Sequence, residues 1–162
     1  MATPTYTPLA NITLGSSAAG VTFTSISQVY RDLILVVTGT ANAADITRLR
    51  FNAATSGYSL VTMEGNGSAT YSGTDSASDS IYTIANTSLA VGTRFSMIAN
   101  IMDYSATDKH KAVLARTDAA DKVSGAVAGR YASTSAITQI YCYFGGSGFQ
   151  SGTSFALYGV AA

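Results

Sequence analysis

A chain of 162 residues carries nine Lys and Arg against nine Asp and Glu, with 47% apolar residues, 10% aromatics and 11% charged ones. That length fits one domain with a real core, and the apolar content excludes a disordered chain. Zero net charge gives no basic footprint for nucleic acid and no attraction to an acidic membrane, so neither is an expected partner.

The N-terminal residues 1–10 hold both prolines, Pro4 and Pro8. Proline lacks a backbone N–H and favours an extended conformation, so this stretch is expected as an extended arm ahead of a domain spanning 11–162. Tyr6 and Leu9 give the arm two apolar anchors, about 10 Å apart in an extended chain. With Pro4 and Pro8 they form the candidate contacts to a neighbouring subunit. The arm has no charged and apolar pattern of a signal peptide, and no apolar run approaches the roughly 18 residues that span a bilayer.

Beyond the arm the hydrophobic period is two almost throughout. Val21, Phe23 and Ser25 alternate with Thr22, Thr24 and Ile26. Leu33, Leu35 and Val37 face away from Ile34 and Val36, which predicts a strand covered on both sides. Leu49 and Phe51 alternate with Arg48 and Arg50, giving one dry face and one wet. Tyr58, Leu60 and Thr62 oppose Ser59, Val61 and Met63. Residues 65–80 hold almost nothing that can be buried and are expected to form the longest loop. Further strands are expected at Ile81–Ile84, Phe95–Ile101, Ala112–Arg116, Val123–Tyr131, Ile137–Phe144 and Ser154–Val160. Ala41–Asp45 and Ala115–Val123 could each form a turn or two of helix, but neither carries a longer helical stripe. About ten strands at short, regular spacing predict a single-domain, all-β antiparallel sandwich.

Chemistry-bearing residues are few. Glu64, the only glutamate, ends a strand and is expected to be solvated. His110, the only histidine, sits between Lys109 and Lys111 in a turn-rich connection, where a cationic or metal-bound imidazole is disfavoured. Gly145-Gly146-Ser147-Gly148-Phe149 fails the G-x-S-x-G pattern of a nucleophile elbow. Asp75 with Asp79, and Asp118 with Asp121, read as turn-starting surface carboxylates; calcium wants six to eight oxygens. Cys142 is the only cysteine, which leaves no intrachain disulfide, and its apolar neighbours predict a small buried hydrophobe. The sequons at Asn11, Asn66 and Asn86 matter only in a secretory pathway. No enzyme activity, cofactor or metal is expected.

Composition points instead to contacts. Counted along the chain, 20 Ser, 21 Thr, 26 Ala and 15 Gly replace the usual charged surface residues. Low charge removes the repulsion that keeps monomers apart, so the chain reads as part of an assembly. A secreted, stalk-like protein is the plain alternative. Tyr6, Tyr71, Tyr82, Tyr104 and Tyr131 fall at expected strand ends or loops, where a ring covers apolar surface while its hydroxyl stays wet. Interfaces and sugar-binding surfaces both use tyrosine this way.

Several stretches together resemble a group of small structural proteins of tailed bacteriophages. They are Ile12-Thr13-Leu14-Gly15 with Val21–Ile26, Tyr30-Arg31-Asp32-Leu33-Ile34-Leu35, Leu49-Arg50-Phe51-Asn52 through Tyr58-Ser59, and Gly65-Asn66-Gly67-Ser68. The segments Ile101–Lys111 and Gly148-Phe149 through Ser154–Val160 are similar too, so the likeness runs from about residue 9 to 160. These are strand-and-turn patterns with no reactive signature. Where that group often has Asn-Gly-Asp after the Leu-x-Phe strand, this chain has Asn52-Ala53-Ala54, and no acidic role carries over. The resemblance implies a jelly-roll-like virion component. It would be a capsid decoration (cement) protein on the outer shell, a homotrimer clamping joints between major capsid proteins. The alternative it implies is tail fibre or receptor-binding material that recognises host-surface glycans.

Overall fold

A computed structural model describes residues 4–42, 44–84, 87–119, 121–146 and 148–161. The described residues form twelve strands and no helix, arranged as two antiparallel sheets of one sandwich-like domain. In chain order the strands are β1 (Tyr6–Thr13), β2 (Gly20–Phe23), β3 (Asp32–Thr40), β4 (Thr47–Phe51), β5 (Tyr58–Gly65) and β6 (Thr70–Ser78). They continue as β7 (Ile81–Tyr82), β8 (Arg94–Met102), β9 (Lys111–Ala119), β10 (Val123–Tyr131), β11 (Ile140–Phe144) and β12 (Ser154–Val160).

The sheet orders are β1-β12-β3-β8-β9-β10-β5-β6 and β2-β11-β4-β7. Without β5, β6, β9 and β10, the first, second, third and later strands interleave as β1-β12-β3-β8 over β2-β11-β4-β7. That is the eight-stranded, double Greek-key order of a jelly roll. The β5–β6 hairpin is inserted between β4 and β7, and the β9–β10 hairpin between β8 and β11. Because β10 pairs with β5 over eight residues, the two insertions join and widen one sheet to eight strands.

Alternation explains the core. On β9 the residues Val113, Ala115 and Thr117 are buried while Ala112, Leu114 and Arg116 are exposed. Leu33, Leu35 and Val37 of β3 face Leu49, Phe51 and Cys142 of the smaller sheet within one buried cluster. Phe149 packs edge-on against Phe155, with ring centroids 5.0 Å apart, and against Phe144 at 5.4 Å. At the other end Tyr58 stacks on Tyr131 at 4.9 Å. Gly129 of β10 makes room for Ile81: a Cβ there would lie 2.9 Å from the Ile81 side chain. The small sheet thus settles onto the widened one, with β7 over β10.

Three expectations are corrected. The arm does not stand apart from the sandwich. Tyr6–Thr13 pairs with β12 as the edge strand of the wide sheet, with a bulge between Pro8 and Ala10. A proline is tolerated at an edge, where half the N–H groups point away from the ladder. The long loop expected over 65–80 is largely β6, paired to β5 from Thr70 to Ser78. β3, expected to be covered on both sides, is buried only along Leu33, Leu35 and Val37, while Ile34 and Val36 stay half-buried on the outer face of the wide sheet.

Candidate functional site

The predicted chemical residues are scattered. Glu64 is buried, not solvated, because the period of Tyr58, Leu60 and Thr62 carries it onto the inner face of β5. Thr87 donates its hydroxyl to Glu64 Oε1 at 2.9 Å. His110 is exposed in the β8–β9 connection. Asp79 accepts from Ser80 and is paired with Arg50, and these hold its carboxyl below the usual range. Asp75, expected to start a turn, lies instead within β6, where it accepts from Ala77 N–H at 3.0 Å beside the register shift against β5. Among the described residues no three His, Cys, Asp or Glu side chains converge as a metal site. Cys142 is fully buried, and burial pushes its thiol far above the ordinary value. Asn86 and Ser147 lie outside the described residues, as do Ala2 and Thr3 of the arm.

The arm and tyrosine residues fare unevenly. Pro4 lies before β1 and is exposed, while Tyr6, Pro8 and Leu9 lie on β1, where Leu9 packs on the chain's own core. Tyr6 and Tyr71 are exposed at the two edges of the wide sheet. Tyr104 and Tyr131, expected with wet hydroxyls, are buried. The Tyr104 hydroxyl donates to the Ser27 carbonyl instead.

Two surfaces remain. On the outer face of the small sheet, Arg48 lies over Tyr82 and Arg50 over Tyr143, each 5.0 Å from the ring centroid. Tyr141 stacks on Tyr143 at 4.7 Å and 4°. Both arginines are already engaged, Arg48 by Asp45 at 3.1 Å and Arg50 by Asp79. Arg48 Nε and the Tyr143 hydroxyl on this face are nonetheless buried without a hydrogen-bond partner among the described residues.

The second surface is the outer face of the wide sheet. Ladder register sets its side chains in rows. One row runs Ala156, Val36, Ile98, Arg116, Ala126, Met63, and the next runs Tyr158, Ile34, Asn100, Leu114, Ala128, Val61. Met63 is 63% exposed, Val61 50%, Leu114 49% and Ile98 40%, so one apolar band crosses the sheet in the open. Small residues between them (Ala126, Ala128, Ala156) keep the surface low enough for another body to approach closely. Charge is sparse and sits mostly around the band: Asp118 and Ser96 beyond the first row, Arg130 and Ala112 beyond the second. Asp118, Arg116 and Arg130 are exposed, and none is in an ion pair among the described residues. The arm-centred expectation missed this surface. It exists only after the two inserted hairpins are joined edge to edge.

No family model matches the chain, and no curated protein is similar to it. The fold and its exposed face therefore carry the functional reading.

Proposed function

We propose that the protein is a virion structural protein of the capsid-decoration type, which binds the outer shell and stabilises contacts between major capsid proteins. The observation that carries this is the open apolar band on the eight-stranded sheet. Four large apolar side chains, Val61, Met63, Ile98 and Leu114, stand exposed near one another with polar side chains around them, the pattern of a protein contact. The jelly-roll order, the neutral Ser/Thr/Gly/Ala surface and the phage resemblance support the same reading. On it the protein is no enzyme and needs no cofactor. Its partners are copies of itself and the major capsid protein.

A second reading has its own support. The Tyr82, Tyr141 and Tyr143 rings with Arg48 and Arg50 are the residue types that stack on sugars, which favours a tail-associated module for host-surface glycans. Labelling purified particles with an antibody to the chain separates the two. Label over the head, at a copy number comparable to that of the shell protein, is the expected result. Label confined to the tail at a few copies overturns decoration in favour of glycan binding.

A further inference from the structure

The wide sheet's outer face is self-complementary, and we infer that it docks a second copy of this chain by a two-fold contact. The inference rests on the reading of that face as a contact surface and adds who occupies it.

The ladder register carries the argument. Ala115 lies midway along β9, between the row of Leu114 and the row of Arg116. Consider a two-fold axis lying in the interface, at the level of Ala115 and across the strands. It lays the Leu114 row of one copy on the Arg116 row of the other. Val61 then meets Met63, Ala128 meets Ala126, and Ile34 meets Val36, apolar on apolar, while Asn100 falls on Ile98 and Tyr158 on Ala156. Leu114 falls on Arg116, whose aliphatic stem can cover it while the guanidinium reaches towards Asp118, two residues along the same strand.

The same operation settles the charges. Asp118 lies three residues to one side of Ala115. Arg130, which pairs with Ala112 in the ladder, lies three residues to the other side. Six residues of strand separate them by about 20 Å, so they cannot meet within one chain. Across the two-fold axis, the row of Asp118 falls on the row of Arg130, and each copy supplies both partners. Two reciprocal ion pairs thus flank an apolar centre.

The size is sufficient. Eight strands about 4.8 Å apart over roughly 20 Å of strand length give a face of about 770 Å², close to the ~800 Å² per partner of a standard stable interface. Twisted sheets pack face to face with a modest rotation, as the two sheets of a sandwich do. The contact is isologous and closes on itself. A three-fold contact elsewhere on the molecule would leave it free to pair trimers.

Light-scattering mass and sedimentation equilibrium on the full chain test the inference. The wild type is expected to have twice the mass of one chain at micromolar concentration. Asp118→Arg and Arg130→Asp should each weaken association at least tenfold while the chain keeps its β-rich far-UV spectrum, and the double swap D118R/R130D should restore most of it. A wild type that stays monomeric up to millimolar concentration overturns the two-fold contact, as does a double swap no better than the singles. Monomeric wild type that still labels the virion head would sink this inference alone. A wild-type dimer that labels only the tail would sink decoration and leave the two-fold contact standing.

Discussion

Tyr58 closes one end of the sandwich. Its hydroxyl accepts the Phe51 N–H at 2.8 Å and lies 3.3 Å from the Phe51 and Ala54 carbonyls, tying the first residue of β5 to the end of β4. Asn52 works beside it: its side-chain carbonyl accepts from Thr138 N–H (2.9 Å) and Gln139 N–H (3.2 Å), and its amide donates to Ala136 at 2.8 Å. Both Asn52 and Ala53 sit at positive φ (51° and 58°), which asparagine tolerates better than alanine. Lys111 is buried nearby, and its ammonium donates to the Ala106 and Lys109 carbonyls at 2.6 and 2.8 Å. Burial pushes the Tyr58 pKa up to about 12. The folded chain therefore holds that proton more tightly than the unfolded chain, whose tyrosines titrate near 10. The stability it contributes is fully present below pH 10 and is lost as pH rises towards 12, by about 1.4 kcal/mol per unit in that window. Buried Tyr104, also raised, acts in the same direction. Tyr58→Phe should cost about 1–3 kcal/mol at neutral pH by orphaning the Phe51 N–H. It should also make the alkaline fall shallower in urea melts taken between pH 9 and 12. An alkaline slope identical to the wild type's would contradict this account of Tyr58.

At the scale of the elements, the two sheet edges decide what the sequence could reveal. β1 holds Leu9, Ala10 and Ile12 against the core and bonds to β12 along its length. Deleting residues 2–10 should therefore destabilise the domain by about 2–4 kcal/mol, or roughly 5–15 °C in Tm, read by calorimetry. An unchanged Tm would return the segment to the status of an arm. The prolines hid this strand: they exclude a central strand but are compatible with a bulged edge, and composition cannot tell an edge from an arm. β6 was hidden for a different reason. Thr70-Tyr71-Ser72-Gly73-Thr74-Asp75 is exposed on most sides, so it has no apolar alternation to read. Its one local signal was Asn66-Gly67, a hairpin turn in which Asn66 accepts from Ser68 N–H and Ala69 N–H and Gly67 takes φ 84°. The buried strands β3, β8 and β12 were legible because Leu33, Phe95 and Phe155 begin runs of strict alternation with one face at near-zero exposure. The exposed face was not. On β9 the outward Ala112 and Leu114 are as apolar as the inward Val113 and Ala115, so only the fold says which pair is wet.

At the scale of the molecule, the inserted hairpins convert an ordinary jelly roll into a plate whose outer side carries an exposed apolar band. The β2-β11-β4-β7 sheet covers the inner side, and no described element covers the outer one. A chain with zero net charge has little repulsion to keep that side apart from a partner. Because the face is already exposed, a charge placed on it should leave folding within about 0.5 kcal/mol of the wild type. Leu114, in the middle of the band, is the position to change. The central claim is that contact through this face is what the proposed decoration role depends on, and the direct measurement is how much chain stays on purified virions. The account predicts that Leu114→Asp is lost from the particles while the variant remains folded. Particles that retain the folded variant at wild-type copy number would contradict it.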